Sequence, residues 1–127
     1  LASAEVIAFV PTCDPAEARR FYGEVIGLEL VSEDSFALEF RAHGASIRVA
    51  NVSSTPGFQP APYTILGWEV ASVADAARAL AARGVVFERY PGMEQDELGV
   101  WTSPNGARIA WFKDPDGNLL SIREMTR

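Results

Sequence analysis

One pattern occurs twice in this chain and limits its fold more than any other feature. Residues 5–10 (Glu-Val-Ile-Ala-Phe-Val) read as a short buried strand. A helix start follows at once, with Asp14 as N-cap, Pro15 at the first helical position and Glu17 completing a capping box. Ala18, Phe21, Tyr22, Val25 and Ile26 then recur at i, i+3, i+4, i+7 and i+8, one helical face, and Gly27 closes the helix. Three strands are predicted next, at about 28–33, 36–41 and 45–51, with turns near Asp34-Ser35 and His43-Gly44. The order then repeats. A strand at 63–70 leads to a helix opened by a second capping box, Ser72 and Asp75. Val73, Ala77, Leu80 and Ala81 mark its face and Gly84 its end. A strand at 85–89, a turn-rich stretch at 90–106 and strands at 107–113 and 118–124 follow. The last turn, Asp114-Pro115-Asp116-Gly117, has Pro second and Gly fourth, which suits a type I turn closed by a bulge.

The halves align by counting. Ile7 falls on Ile65 and Asp14 on Ser72, at an offset of 58; later Gly44 falls on Gly117 and Arg48 on Ser121, at an offset of 73. The extra loop 90–106 accounts for most of the difference. Residues 52–62 contain Pro56, Gly57, Pro60 and Pro62 and make a linker, unsuited to helix or central strand. The predicted fold is therefore α+β, with two βαβββ modules at about 4–51 and 63–125. A single unit cannot cover both faces of its own sheet, and 127 residues make one domain's worth of chain, so both modules are assigned to a single domain, 1–127.

Charge and motifs exclude several roles. Seventeen acidic residues against eleven basic give a net charge of −6. With no Lys/Arg cluster, neither nucleic acid nor an anionic membrane surface is expected as partner. No apolar run approaches the roughly 20 residues that span a bilayer, and residues 1–10 lack the basic and apolar regions of a signal peptide. Cys13 is the single cysteine. It allows no intramolecular disulfide and no thiolate-only metal site, and one free thiol suits a reducing cytoplasm, the expected location. There is no P-loop, no G-x-S-x-G and no dinucleotide fingerprint.

A doubled βαβββ unit carrying Ala-Arg-Arg-Phe-Tyr-Gly-Glu-Val-Ile-Gly-Leu (18–28) and Trp-Phe-Lys-Asp-Pro-Asp-Gly-Asn-Leu-Leu (111–120) resembles the vicinal oxygen chelate superfamily. That superfamily includes glyoxalase I, extradiol dioxygenases, fosfomycin-resistance transferases and bleomycin-resistance proteins. The resemblance covers almost the whole chain. It implies that the two modules curl into a cup-shaped mixed sheet with a ligand inside. In metal-dependent members, ligands come from the first and last strands of each unit, at positions that here hold Ile7, Arg48, Ile65 and Ser121. Divalent ions want imidazole or carboxylate there, so no metal and no other cofactor is expected.

Strand alternation from those positions adds Glu5, Phe9, Ser46, Ala50, Tyr63, Gly67, Leu119 and Arg123 to the inward face. Trp111 joins them from the preceding strand. The expected ligand-binding residues are Phe9, Arg48, Tyr63, Trp111 and Ser121. The aromatic rings would stack on a flat molecule and the Arg48 guanidinium would grip an anion. Competing readings place Phe9, Ile7 and Ile65 in a filled core, and pair Arg48 with Glu5. Loop 90–106, with Met93-Glu94-Gln95-Asp96-Glu97 and Trp101, is either a lid or an acidic excursion anchored by Trp101. His43 reads as an exposed turn residue and Cys13 as a quiet, half-buried thiol. No catalytic residue is assigned. The expected function is metal-free binding of a small aromatic or anionic molecule. The alternatives are a lyase, isomerase or dioxygenase with a non-standard site, or an interaction module with a filled cup. A homodimer is expected, since open edge strands invite pairing and symmetric dimers are the commonest assembly.

Overall fold

Apart from the strand expected at 85–89, the predicted order of elements recurs in the structure, a computed structural model that describes residues 1–125. The first half forms β1 (Val6–Thr12), α1 (Pro15–Arg20), β2 (Glu29–Glu33), β3 (Ala37–Ala42) and β4 (Ala45–Asn51). They make a four-stranded sheet in the order β1-β4-β3-β2, with β1 parallel to β4 and the other pairs antiparallel. Asp14 caps α1 as expected, its carboxylate accepting from the Glu17 N–H at 3.2 Å. Glu17 does not complete the capping box. The Asp14 N–H donates instead to Thr12 Oγ1 at 3.0 Å, and the Glu17 side chain pairs with Arg20. After Arg20 the helix widens into a π-helical turn, Phe21–Val25, closed by the Ile26 N–H on the Phe21 carbonyl. Such turns insert one residue into a helix. Phe21, Tyr22 and Val25 remain on the buried side.

The second half forms β5 (Thr64–Glu69), α2 (Val73–Ala82), β6 (Trp101–Thr102), β7 (Arg108–Lys113) and β8 (Leu119–Glu124). The sheet order is β5-β8-β7-β6, again with one parallel pair, β5 and β8. Ser72 caps α2 by accepting from Asp75 N–H, and the Glu124 carboxylate takes the Val73 N–H at 2.8 Å. The strand expected at 85–89 does not form. Its backbone touches β7 through one bond, Glu88 N–H to the Trp111 carbonyl. A side chain takes the neighbouring groups: Gln95 donates to the Glu88 carbonyl and accepts from the Tyr90 N–H. With those groups paired, the segment needs no neighbouring strand. The short β6 pairs with β7 instead.

The residues separate into two compact units. The first is Leu1–Pro60 together with Asp114–Asn118; the second is Ala61–Lys113 together with the chain from Leu119 onward. In each unit one helix covers one face of the sheet. Val10, Leu38, Phe40, Ile47 and Val49 are buried with Ala18, Phe21, Tyr22 and Val25 in the first. Ala110, Phe112, Leu120 and Ile122 are buried with Val73, Ala77 and Leu80 in the second. Each large apolar side chain so buried stabilises the fold by about 1.5–3 kcal/mol. Among the described residues, no helix is long and apolar enough to cross a membrane.

The turn between β7 and β8 is the expected type I turn with a bulge. Gly117 N–H donates to the Asp114 carbonyl, Asp114 N–H to the Asn118 carbonyl, and Gly117 sits at φ 86°. Its side chains belong to the first unit. The Tyr22 hydroxyl donates to Asp114 Oδ2 at 2.6 Å, deep in the core. Thr12 Oγ1 donates to Asp116 at 2.6 Å and the Asn118 amide to the Pro11 carbonyl at 2.8 Å. Asp114 Oδ1 also accepts from the Asp116 and Asn118 N–H groups. Burial pushes the Asp114 carboxyl up from its ordinary value, against the hydrogen bonds from Tyr22 and Asn118 that lower it. Burial first, then the Asp114 charge, raises the Tyr22 phenol far above its usual 10.0. A folded chain that keeps this phenol neutral gains stability that is fully present below pH 10.0 and is lost as the unfolded chain ionises above it. Tyr22→Phe should therefore cost about 1–3 kcal/mol at pH 7, since Asp114 loses a buried donor. Thermal melts from pH 7 to 11 should show the gap to wild type closing above pH 10; a constant gap would contradict this account.

Candidate functional site

Each sheet has a second face that its own helix does not touch, and every residue proposed for binding projects from such a face or lies at its end. In the first unit, Phe9 and Arg48 are register partners on β1 and β4, beside the pair Ile7 and Ser46. Ile7 and Phe9 are 53% and 63% exposed. The reading that they fill a core is therefore corrected: alternation puts Val10, Ile47 and Val49 there instead. Arg48 does not pair with Glu5. Its register partner on β3 is Glu39, and their charged groups lie 3.7 Å apart. Glu5 is taken by Arg41 at 3.0 Å and by the Ser46 hydroxyl at 3.3 Å.

In the second unit, Ser121 on β8 has Gly67 of β5 on one side and Trp111 of β7 on the other. Trp111 is packed edge-on by Tyr90, with ring centroids 5.7 Å apart at 81°, and meets Trp101 at 6.1 Å and 37°. Burial, then the Glu88 charge, raises the Tyr90 phenol. Tyr63 precedes β5 and is 66% exposed; Ile65 is half-buried at the irregularity in the β5–β8 pairing. A shallow depression of about 370 Å³ is lined by Gly67, Trp68, Glu69, Ser121 and Arg123. Phe9 with Arg48, and Trp111 with Ser121, are thus each brought together within one unit. Sequence reasoning missed Glu39, Tyr90 and the organising role of Gln95. Cys13 is exposed rather than half-buried, and His43 lies exposed in its turn as read.

A larger groove of about 550 Å³ lies on the helix side of the first unit, with Arg19, Arg20, Leu28 and Leu30 among its walls. Arg19 pairs with Glu33 and Arg20 with Glu17, all of them well exposed. It contains none of the aromatic residues expected to bind a ligand.

Residues 6–122 match the family model of the Glyoxalase/Bleomycin resistance protein/Dioxygenase superfamily, and the chain belongs to that superfamily. The fold agrees with solved structures at low identity. A lactoylglutathione lyase from Agrobacterium tumefaciens is similar at TM-score 0.74 and 18% identity, over 96% of this chain and 93% of that one. A superfamily member from Sphaerobacter thermophilus is similar at TM-score 0.74 and 22% identity, over 98% and 99%. A third, from Alicyclobacillus acidocaldarius, gives TM-score 0.71 and 16% identity over 100% and 95%. No curated protein matches the chain.

The positions that carry metal ligands in metal-dependent relatives hold two isoleucines, an arginine already paired with a glutamate, and a serine. Their only neutral oxygen donor is the Ser121 hydroxyl, and a guanidinium repels a cation. Among the described residues, no three His, Cys, Asp or Glu side chains gather where they could hold a metal ion. The donor set does not fit the metal that the resemblance implies. Protein purified without chelator should therefore carry well under one equivalent of zinc, nickel, iron or manganese per chain by elemental analysis. One tightly held equivalent would overturn this assignment.

Proposed function

We propose that this protein binds a small aromatic or anionic molecule against a helix-free sheet face, without a metal ion. The observation that carries the reading is the display of large aromatic side chains on those faces. Phe9 and Tyr63 are mostly exposed, and Trp111 stands beside the Ser121 hydroxyl. Apolar rings with a few polar groups between them are the usual lining of small-molecule sites. A lyase reading rests only on the likeness of fold to the lactoylglutathione lyase at 18% identity. The donor chemistry at Ile7, Arg48, Ile65 and Ser121 gives it no support. The exposed thiol of Cys13 suits a reducing cytoplasm.

A thermal-shift screen against aromatic and anionic metabolites and aromatic antibiotics, followed by titration calorimetry, tests the proposal. A hit on the first sheet should be weakened by Phe9→Ala, and one on the second by Tyr63→Ala or Trp111→Ala, by about 0.5–1.5 kcal/mol per ring lost. A screen in which no compound raises the melting temperature would refute it.

We further propose that the protein is a homodimer. The sheets end in β1, β2, β5 and β6, and β1 bears the exposed Ile7 and Phe9. Light scattering at micromolar concentration should give twice the 13.8 kDa of one chain; a mass of one chain would refute the dimer.

A further inference from the structure

The helix-free face of the second unit is organised as a row across its strands. Gly67, Ser121 and Trp111 are successive neighbours on β5, β8 and β7. A bare Cα, a hydroxyl and an indole therefore lie side by side over roughly 10 Å, two strand spacings. The opening at Gly67 is specific. A Cβ there would stand 2.7 Å from Ser121 Oγ and 3.3 Å from the Ser121 carbonyl oxygen. The Ser121 hydroxyl has no protein hydrogen-bond partner among the described residues. It faces the depression that Gly67 leaves open.

The far wall is held in place by Gln95. Its amide accepts from the Tyr90 N–H and donates to the Glu88 and Gly99 carbonyls, at 2.8 to 2.9 Å. Gly99 is fixed at φ 90°, and a Cβ there would stand 2.9 Å from the Phe87 Cβ. Gln95 thereby fixes the backbone that carries Tyr90, whose ring meets the Trp111 indole edge-on, while Trp101 lies tilted beside it. Gln95 ties this loop to the segment before β7 at three backbone groups.

Charge narrows what can lie there. The cations of both helix-free faces are already held by carboxylates: Arg41 by Glu5, Arg48 by Glu39, Arg123 by Glu69 and Lys113 by Glu88, at 3.0 to 3.7 Å. An anion placed there would also face those carboxylates, on a chain with a net charge of −6. Resting on the reading of this protein as an aromatic binder, we infer that its ligand is a planar aromatic molecule without negative charge. The ring packs against Trp111, and a hydrogen-bonding edge group meets Ser121 over Gly67.

Titration calorimetry of the full chain with three two-ring probes tests this: 2-naphthol (neutral), N-methylquinolinium (cationic) and 2-naphthoate (anionic). The first two should bind and 2-naphthoate should bind at least about tenfold more weakly. Trp111→Ala and Gly67→Ala should each weaken 2-naphthol by about tenfold. Ser121→Ala should weaken 2-naphthol and leave N-methylquinolinium, which has no group to hydrogen-bond, unchanged. Circular dichroism of each variant checks folding, and Trp111→Phe, which keeps a ring, should retain most of the affinity. Equal affinity for 2-naphthoate and 2-naphthol, or silence from all three probes, would overturn the inference. If Phe9→Ala abolishes 2-naphthol binding while Trp111→Ala does not, aromatic binding stands and this site for it is overturned.

Discussion

A four-stranded sheet has two faces, and a single helix can dry only one of them. Both units of this protein live with that constraint. Alternation along β1, β4, β7 and β8 sends Val10, Val49, Phe112 and Ile122 beneath a helix. It necessarily sends Phe9, Arg48, Trp111 and Ser121 the other way. The composition of the helix-free faces is thus tied, residue by residue, to the composition of the cores. A one-residue slip of any strand would exchange the two sets and expose the core. The faces are neither purely polar, as a solvated sheet would be, nor purely apolar. Rings alternate with ion pairs, so that exposed apolar area stays broken into small patches.

Local chemistry made much of this legible in the sequence. The strand read at 45–51 is β4 to the residue, because alternation and the His43-Gly44 turn bound it on both sides. The Asp14 and Ser72 caps and the Asp114 turn announced themselves by residue type. What escaped depends on contacts that no local pattern encodes. A π turn keeps the same apolar residues on the same side as an α turn, so Phe21–Val25 looked ordinary. Val85-Val86-Phe87 has a strand's composition, yet the chain just after it is tied down by the Gln95 side chain, at Glu88 and Tyr90, and not by a strand. Tyr90 could not be placed by alternation, since it lies in no strand. The partner of Arg48, by contrast, was within reach. A turn that sets Ala42 against Ala45 sets Glu39 against Arg48 by counting outward.

Charge is distributed as unevenly as the aromatic side chains. The first unit holds ten acidic and four basic residues, which accounts for the whole excess of negative charge; the second is balanced in sequence. The Ile7–Phe9 face is itself balanced by the Arg41–Glu5 and Arg48–Glu39 pairs, so the excess lies elsewhere on the first unit, whereas the Trp111 face sits in a nearly neutral unit. Ion pairs at these exposed positions are each worth little, of the order of 0–1 kcal/mol. Their effect is to hold guanidinium groups against carboxylates on neighbouring strands, as with Arg48 and Glu39 or Arg123 and Glu69.

The Asp114 turn also sets a timetable for synthesis. Tyr22 waits for a partner 92 residues further along the chain, and Thr12 for one 104 residues away. A ribosome needs on the order of seconds to add the residues between Pro60 and Asn118. A first sheet and helix that folded within that interval would hold a buried phenol lacking its acceptor and a Pro11 carbonyl lacking its amide. The earliest-made part of the protein is in this sense the last to be completed. A nascent chain stalled before residue 114 would present an unfinished core to chaperones, however well its own strands had paired.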